Sequence, residues 1–234
     1  MADFKTSAII PAAGASSRLI EKSKKQFIEI DGKPLIYFCL NSFQKCSSVN
    51  EIVLVVPKNE IDFVKSEIVD KNSFTKVSEI IVGGKLRQDS VKNGFDVVMP
   101  DTELVIIHDA ARPFVDAGFI NKIISEAGTK NCVISAIPVK DTLKIADKGI
   151  IKNTTPRKSI WRAQTPQAFK YEILKDSYQK VEFNNKTFTD EAQIVEYAGY
   201  DVHIVEGSEY NFKITSSEDL RLAGLMINNG MQIS

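Results

Sequence analysis

The chain is 234 residues long, 43% hydrophobic and 26% charged, which suits one well-buried domain and excludes a disordered chain. Thirty basic residues balance thirty acidic ones, so no net field draws the chain to nucleic acid or an anionic membrane, and any anion site has to be local. Three cysteines without CxxC spacing and only two histidines argue against a disulfide framework or a structural zinc site and for a reducing, cytoplasmic setting. No signal-peptide pattern and no apolar run near the ~20 residues of a membrane span are present.

Taken in chain order, residues 6–11 read as a buried strand and residues 34–44 as a helix with Pro34 in its first turn. Cys39 and Cys46 are expected to be small core residues of that helical stretch. A strand at 51–56 (EIVLVV) precedes a helix at 59–69. A strand at 77–82, a helix at 89–98 and a strand at 103–108 follow. Residues 116–128 read as a helix with Asp116 as its N-cap, and 131–139 as another strand. Alternating strands and helices, with nearly all-apolar strands, predict an α/β fold: a mainly parallel sheet with helices on both faces.

The alternation breaks after Val139. Residues 140–161 carry a predicted hairpin around Asp147-Lys148-Gly149, too apolar for a linker and without a partner in a doubly wound domain. This stretch, about 139–161, reads as an arm projecting from a single domain spanning 1–234; the alternative is a long surface loop with a local hairpin. Helices at 170–181 and 190–198 and a strand at 201–206 follow. A last helix starts near Ser216, with Ser216 and Asp219 spaced as a capping pair.

Open α/β sheets bind ligands at the carboxyl ends of their strands, where the unusual residues fall. After the first strand comes Pro11-Ala12-Ala13-Gly14-Ala15-Ser16-Ser17-Arg18, with Lys22, Lys24 and Lys25 beyond. Small residues let backbone amides approach phosphate oxygens. The run lacks the G-K-[ST] of a P-loop and the repeated glycines of a dinucleotide fingerprint. After the third strand, Gly83-Gly84-Lys85-Leu86-Arg87-Gln88-Asp89-Ser90 suits close backbone approach to a ligand, with Ser90 facing it from the first helical turn; a tight strand-to-helix turn is the alternative. After the fourth strand, in His108-Asp109-Ala110-Ala111-Arg112-Pro113, Asp109 either sits near a metal–phosphate centre or caps a turn. His108 reads as a packed residue rather than a base.

With these corners go the runs KKQF at 24–27, PVKDTLK at 138–144, RAQTPQAF at 162–169, TDEAQIVEYAG at 189–199 and NFKIT at 211–215. Together, in this order and across almost the whole chain, they resemble the 2-C-methyl-D-erythritol 4-phosphate cytidylyltransferases of non-mevalonate isoprenoid synthesis. The resemblance implies a Rossmann-like domain, a β-arm that interlocks two subunits of a homodimer, CTP and 2-C-methyl-D-erythritol 4-phosphate as substrates, and Mg²⁺ on the CTP phosphates. It implies that Arg18, Lys25, Arg157 and Lys213 are the catalytic cations, the first two at the α-phosphate. Ala12, Ala13, Gly14 and Ala15 match the loop around the nucleotide, Gly84, Lys85 and Ser90 the positions near cytosine and ribose, and Asp109 and Ala110 the corner beside ribose and metal. Asp109, Arg112, Thr142, Arg157, Thr189 and Lys213 match the residues that hold the methylerythritol phosphate. By the same resemblance Thr142 and Arg157, with Arg112, serve the neighbouring subunit's site. The chain departs from the family pattern at Ser16, where a second glycine is common, at Lys85, where an acidic residue is frequent, and at Glu209-Tyr210.

The residues suit that chemistry. A phosphate monoester has its second pKa near ~6, so the attacking group is largely ionised at neutral pH and no general base is needed. What the reaction needs is cations that offset repulsion between anions and charge building in the transition state. Ribitol 5-phosphate cytidylyltransferase is the nearest alternative, set aside on HDAARP and PVKDTLK; a non-catalytic nucleotide-binding protein is a distant one, since the cations are all present.

Overall fold

The structure, a computed structural model, describes residues 4–14, 27–181 and 186–229. Strand β1 (Thr6–Pro11) is followed by a small antiparallel ribbon, β2 (Glu29–Ile30) and β3 (Lys33–Pro34), which leads into α1 (Leu35–Lys45). Next come β4 (Glu51–Val56) and a short helix α2 (Ile61–Phe63), preceded by a 3₁₀ turn at Lys58–Glu60 and continued by a π-helical segment at Val64–Asp70. Then β5 (Val77–Val82), α3 (Arg87–Phe95), β6 (Leu104–Ile107), α4 (Ala117–Lys130) and β7 (Cys132–Pro138) alternate. The hairpin β8 (Leu143–Asp147) and β9 (Ile150–Thr155) precedes a ten-residue strand β10 (Trp161–Lys170). Helices α5 (Tyr171–Lys180) and α6 (Glu191–Tyr197), strand β11 (His203–Glu206) and helix α7 (Ser217–Asn228) complete the chain.

The seven-stranded sheet runs β11-β7-β10-β6-β1-β4-β5. All its pairings are parallel except those of β10, antiparallel to both β6 and β7. Every residue of β4 and β6 is buried, which explains why these strands are continuous apolar runs rather than alternating ones. The period of two then divides the core. Ala8 and Ile10 join Ile52, Leu54 and Ile106 under α1 and α4. Ile9 joins Val53, Val55 and Val105 under α3, α5 and α6. Both layers are mainly apolar, as a sheet covered on two faces requires, with a few buried polar side chains such as Ser7, whose hydroxyl donates to Glu51.

The expected mainly parallel α/β sheet is therefore present, with β10 as the addition. Its run contains Pro166 and buries Gln164, Thr165 and Gln167, a composition that argues against a central strand. The ladder with β7 shifts register between Ala163 and Gln167, so the residue that lacks an N–H sits where pairing is interrupted. Asn211 and Ser135 compensate: Asn211 Nδ2 donates to Thr165 O at 2.8 Å and Ser135 Oγ to Pro166 O at 3.1 Å. The hairpin expected around Asp147-Lys148-Gly149 is also present. It forms its own two-stranded sheet outside the main one, with positive φ at Lys148 and Gly149 closing the turn. Asp116 caps α4 by accepting from Phe119 N at 2.8 Å, and Ser216 and Asp219 form the expected capping box on α7.

Candidate active site at the carboxyl ends of the strands

The three corners singled out by sequence lie at the carboxyl ends of β1, β5 and β6. Two are joined through β4: Ala12 N donates to Val55 O at 2.7 Å and Gly83 N to Val56 O at 2.9 Å. A Cβ on Gly83 would lie 2.2 Å from Ala13 Cβ and 2.9 Å from Ser90 Oγ. Glycine is therefore required for the two loops to touch. Gly84 is equally constrained, since its Cβ would lie 2.2 Å from Asp89 Cβ.

Ser90 is buried at 3% exposure. Its Oγ accepts from Gly84 N and donates to Leu86 O, both at 3.1 Å. The hydroxyl thus shapes the glycine loop instead of projecting out of it. Gly84 and Lys85 remain exposed at the loop's surface. Ala12 is buried, Ala13 half-buried and Gly14 exposed, so the described part of the first loop emerges progressively from the core. Ala15, Arg18 and Lys25, together with the departure at Ser16, lie outside the described residues.

The strongest electrostatic feature is at the end of β6. Asp109 Oδ1 accepts from Arg87 Nε at 2.9 Å and Oδ2 from Lys213 Nζ at 2.7 Å. Arg87 Nη1 also donates to both oxygens of Glu191, at 3.0 and 2.8 Å. Burial acts to raise the Asp109 pKa, but Arg87 and Lys213 outweigh it and hold the carboxyl well below the usual range. Burial likewise raises Glu191, opposed by Arg87, and the two carboxylates outweigh burial to keep Arg87 firmly charged. Arg112 is the fifth charge; burial lowers its pKa. Its Nη1 donates to Asn211 O at 2.7 Å, while its Nε and Arg87 Nη2 are buried without a partner among the described residues. Three cations thus gather about Asp109 and Glu191, with Asp190 close enough to raise Glu191 further, and their N–H groups not spent on carboxylates suit an anionic ligand.

Local packing explains how Lys213 reaches this cluster. On either side of it, Ile214 is fully buried and the Phe212 ring packs tilted against Phe114, with centroids 5.4 Å apart. Ile214 N donates to Ala111 O at 2.9 Å, pinning the segment to the corner after β6. Ala110 is buried at 2%, leaving little room there for a larger side chain. His108 is wholly buried, and burial lowers its pKa to about 4. Its Nε2 lies 2.9 Å from Arg112 O, an acceptor only, so Nε2 carries the proton. Nδ1 is then free to accept from Thr165 Oγ1 at 3.2 Å, and Thr165 Oγ1 to accept from Asp109 N at 3.0 Å. His108 packs and orients the corner, as expected, and has no exposed nitrogen with which to act as a base.

Thr189 precedes α6, with its N and Oγ1 donating to Gln193 Oε1 at 2.9 and 3.3 Å. The Arg87–Glu191 pair holds this segment beside Asp109. Thr142 and Arg157 lie at the two ends of the arm hairpin and are exposed. Arg157 donates to Lys140 O, and among the described residues neither side chain is bonded to the Asp109 cluster. The departure at Glu209 acquires a role at the arm's root, where it pairs with Arg162 and, at 3.2 Å, with Lys140. Arg87, Glu191 and Thr165 were not expected from sequence as site residues. Their signal lay inside the runs GGKLRQDSV, TDEAQIVEYAG and RAQTPQAF, but ion pairs across 104 positions leave no local pattern.

Comparison with known proteins places the chain in a family. Residues 6–229 match the family model described as IspD, 2-C-methyl-D-erythritol 4-phosphate cytidylyltransferase. The chain is 46% identical over 219 residues (93% of it, 95% of the relative) to the 2-C-methyl-D-erythritol 4-phosphate cytidylyltransferase of Clostridium botulinum strain Loch Maree. It is 41% identical over 222 residues (95% and 93%) to that of Clostridioides difficile strain 630. Among solved structures, the 4-diphosphocytidyl-2C-methyl-D-erythritol synthase of Anaerococcus prevotii superposes with a TM-score of 0.83 at 30% identity, covering 97% of both chains. The chain belongs to the IspD family, the 2-C-methyl-D-erythritol 4-phosphate cytidylyltransferases.

Proposed function

We infer that the chain transfers the cytidylyl group of CTP to 2-C-methyl-D-erythritol 4-phosphate. A phosphate oxygen of the polyol phosphate attacks the α-phosphorus of CTP, the bond to the bridging oxygen breaks, and pyrophosphate leaves in line. The observation that carries this reading is the cluster at Asp109, in which Lys213 and Arg87 pair with carboxylates and Arg112 lies beside them, in a chain of this family. A nucleophile already ionised needs cations and no base, and the one buried histidine of the corner is neutral and turned inward.

The glycine loop and the Ala12–Gly14 turn suit the nucleotide, through backbone amides that small residues leave accessible. Arg18 and Lys25 are assigned to the α-phosphate by family resemblance. Lys213, Arg112 and Thr189 suit the phosphate and hydroxyls of the polyol. No cluster of three or more His, Cys, Asp or Glu that could hold a metal occurs among the described residues. By family resemblance a divalent cation such as Mg²⁺ would be carried mainly on the CTP phosphates; Asp109 is a carboxylate at the strand end, and Lys213 would have to yield Oδ2 for it to hold the ion. Bound there, the ion would offset phosphate charge as the leaving group develops.

The arm is the proposed dimerisation element. Ile145, Ile150 and Ile151 are 55%, 62% and 60% exposed, an apolar load that a second copy would cover, and Thr142 and Arg157 would then serve the partner's site. The three cysteines, unpaired and buried, suit a cytoplasmic location; no described helix is long and apolar enough to cross a membrane.

The test is pyrophosphate release with Lys213→Ala beside the unaltered chain. The variant is expected to lose turnover on the order of 100-fold and to need more polyol phosphate, while its demand for CTP changes little. Equal loss of affinity for both substrates would contradict the division of the site.

A further inference from the structure

Arg87 is the first residue of α3 and Glu191 the first residue of α6. Through Asp109 at the end of β6, one guanidinium joins the starts of two helices to the end of a central strand. These three segments carry Gly84, Asp109 and Thr189, residues from both halves of the proposed site. Glu191 is fully buried at one end of the chain of charges, and Lys213, 39% exposed, is at the other.

We propose that Arg87, anchored on Glu191, is a positioning residue for the transfer. It occupies Asp109 Oδ1, so that only Oδ2 is left for Lys213 and for ligand. Without Arg87, both carboxylate oxygens would be open to Lys213 and Arg112, and the cations meant for substrate phosphate would collapse onto Asp109. Arg87 also ties the glycine loop to the Thr189 segment, which sets the distance between the two substrates. A misplacement of about 1 Å in such a site costs on the order of 100-fold in rate.

This proposal rests on the reading of the reaction given above, and the experiment separates the two. A buried ion pair that only stabilises can often be replaced by apolar residues of similar volume without loss. In the double variant Arg87→Met, Glu191→Leu, one cation and one carboxylate disappear together, so the net charge of the cluster is unchanged. The double variant is expected to keep its thermal midpoint within about 5 °C, while kcat falls roughly 10- to 100-fold. KM for the polyol phosphate is expected to rise about tenfold and KM for CTP to change less than about twofold, because Lys213 and the Thr189 segment both lose their anchor while the glycine loop keeps its own bonds through Ser90. Glu191→Gln keeps the shape, removes the anchoring charge and should move the same constants in the same direction, and it decides the matter if the double variant does not fold. Unaltered kcat and KM in a folded variant would overturn the positioning role, whatever happens to the midpoint. A wild-type chain that releases no pyrophosphate would overturn the reaction itself, and the positioning role with it.

Discussion

At the scale of single residues, His108 gives the sharpest pH dependence. Its folded-state pKa, about 4, lies below its ordinary 6.5 because burial between Phe43, Thr165 and the Arg112 carbonyl disfavours the charged ring. The unfolded chain therefore binds more protons between these values. Stability is full above pH 6.5, falls as pH drops toward 4, and gains no further loss from this residue below that, about 3 kcal/mol in all. Acid-unfolding curves of the ligand-free protein with and without His108→Asn should differ across that window; identical slopes would contradict a neutral buried ring. Residue types predicted the site's location better than its wiring. Asp109 was legible because strand ends carry function, and Lys213 only through the NFKIT run of the family resemblance. Arg87 and Glu191 were not, because their meaning lies in a contact between distant segments that neither local spacing nor composition records. Ser90 was legible as important, but its hydroxyl serves the loop's own hydrogen bonds.

At the scale of elements, β1, β4 and β6 follow directly from their apolar runs, since a strand buried on both faces leaves that signature. Helix α4 follows from its cap. Replacing Asp116 by Ala should cost about 1 kcal/mol by leaving Phe119 N unpaired, read as a shift in the denaturant midpoint; no shift would mean that solvent replaces the cap. Strand β10 was illegible for a physical reason. Proline and three polar side chains in one run normally exclude a central strand, and only the interrupted ladder and the bonds from Asn211 and Ser135 make it tolerable. That strand brings Thr165 under Asp109, so an element missed by patterning supports the candidate site that patterning pointed to.

At the scale of the whole molecule, the sheet supplies a rigid frame whose strand ends converge, while the arm leaves the frame altogether. If the arm closes a dimer, Ile150→Thr with Ile151→Lys should shift the protein toward monomer in sedimentation at micromolar concentration. The monomer should also lose turnover, because Arg157 would no longer reach a partner. A monomeric wild-type chain with full activity would contradict both. The central claim is the transfer itself, and the most direct measurement is product analysis with CTP and two competing acceptors, 2-C-methyl-D-erythritol 4-phosphate and ribitol 5-phosphate. Formation of 4-diphosphocytidyl-2-C-methyl-D-erythritol with stoichiometric pyrophosphate, and little ribitol product, is the predicted result. Preference for ribitol 5-phosphate, or no pyrophosphate with either acceptor, would contradict it.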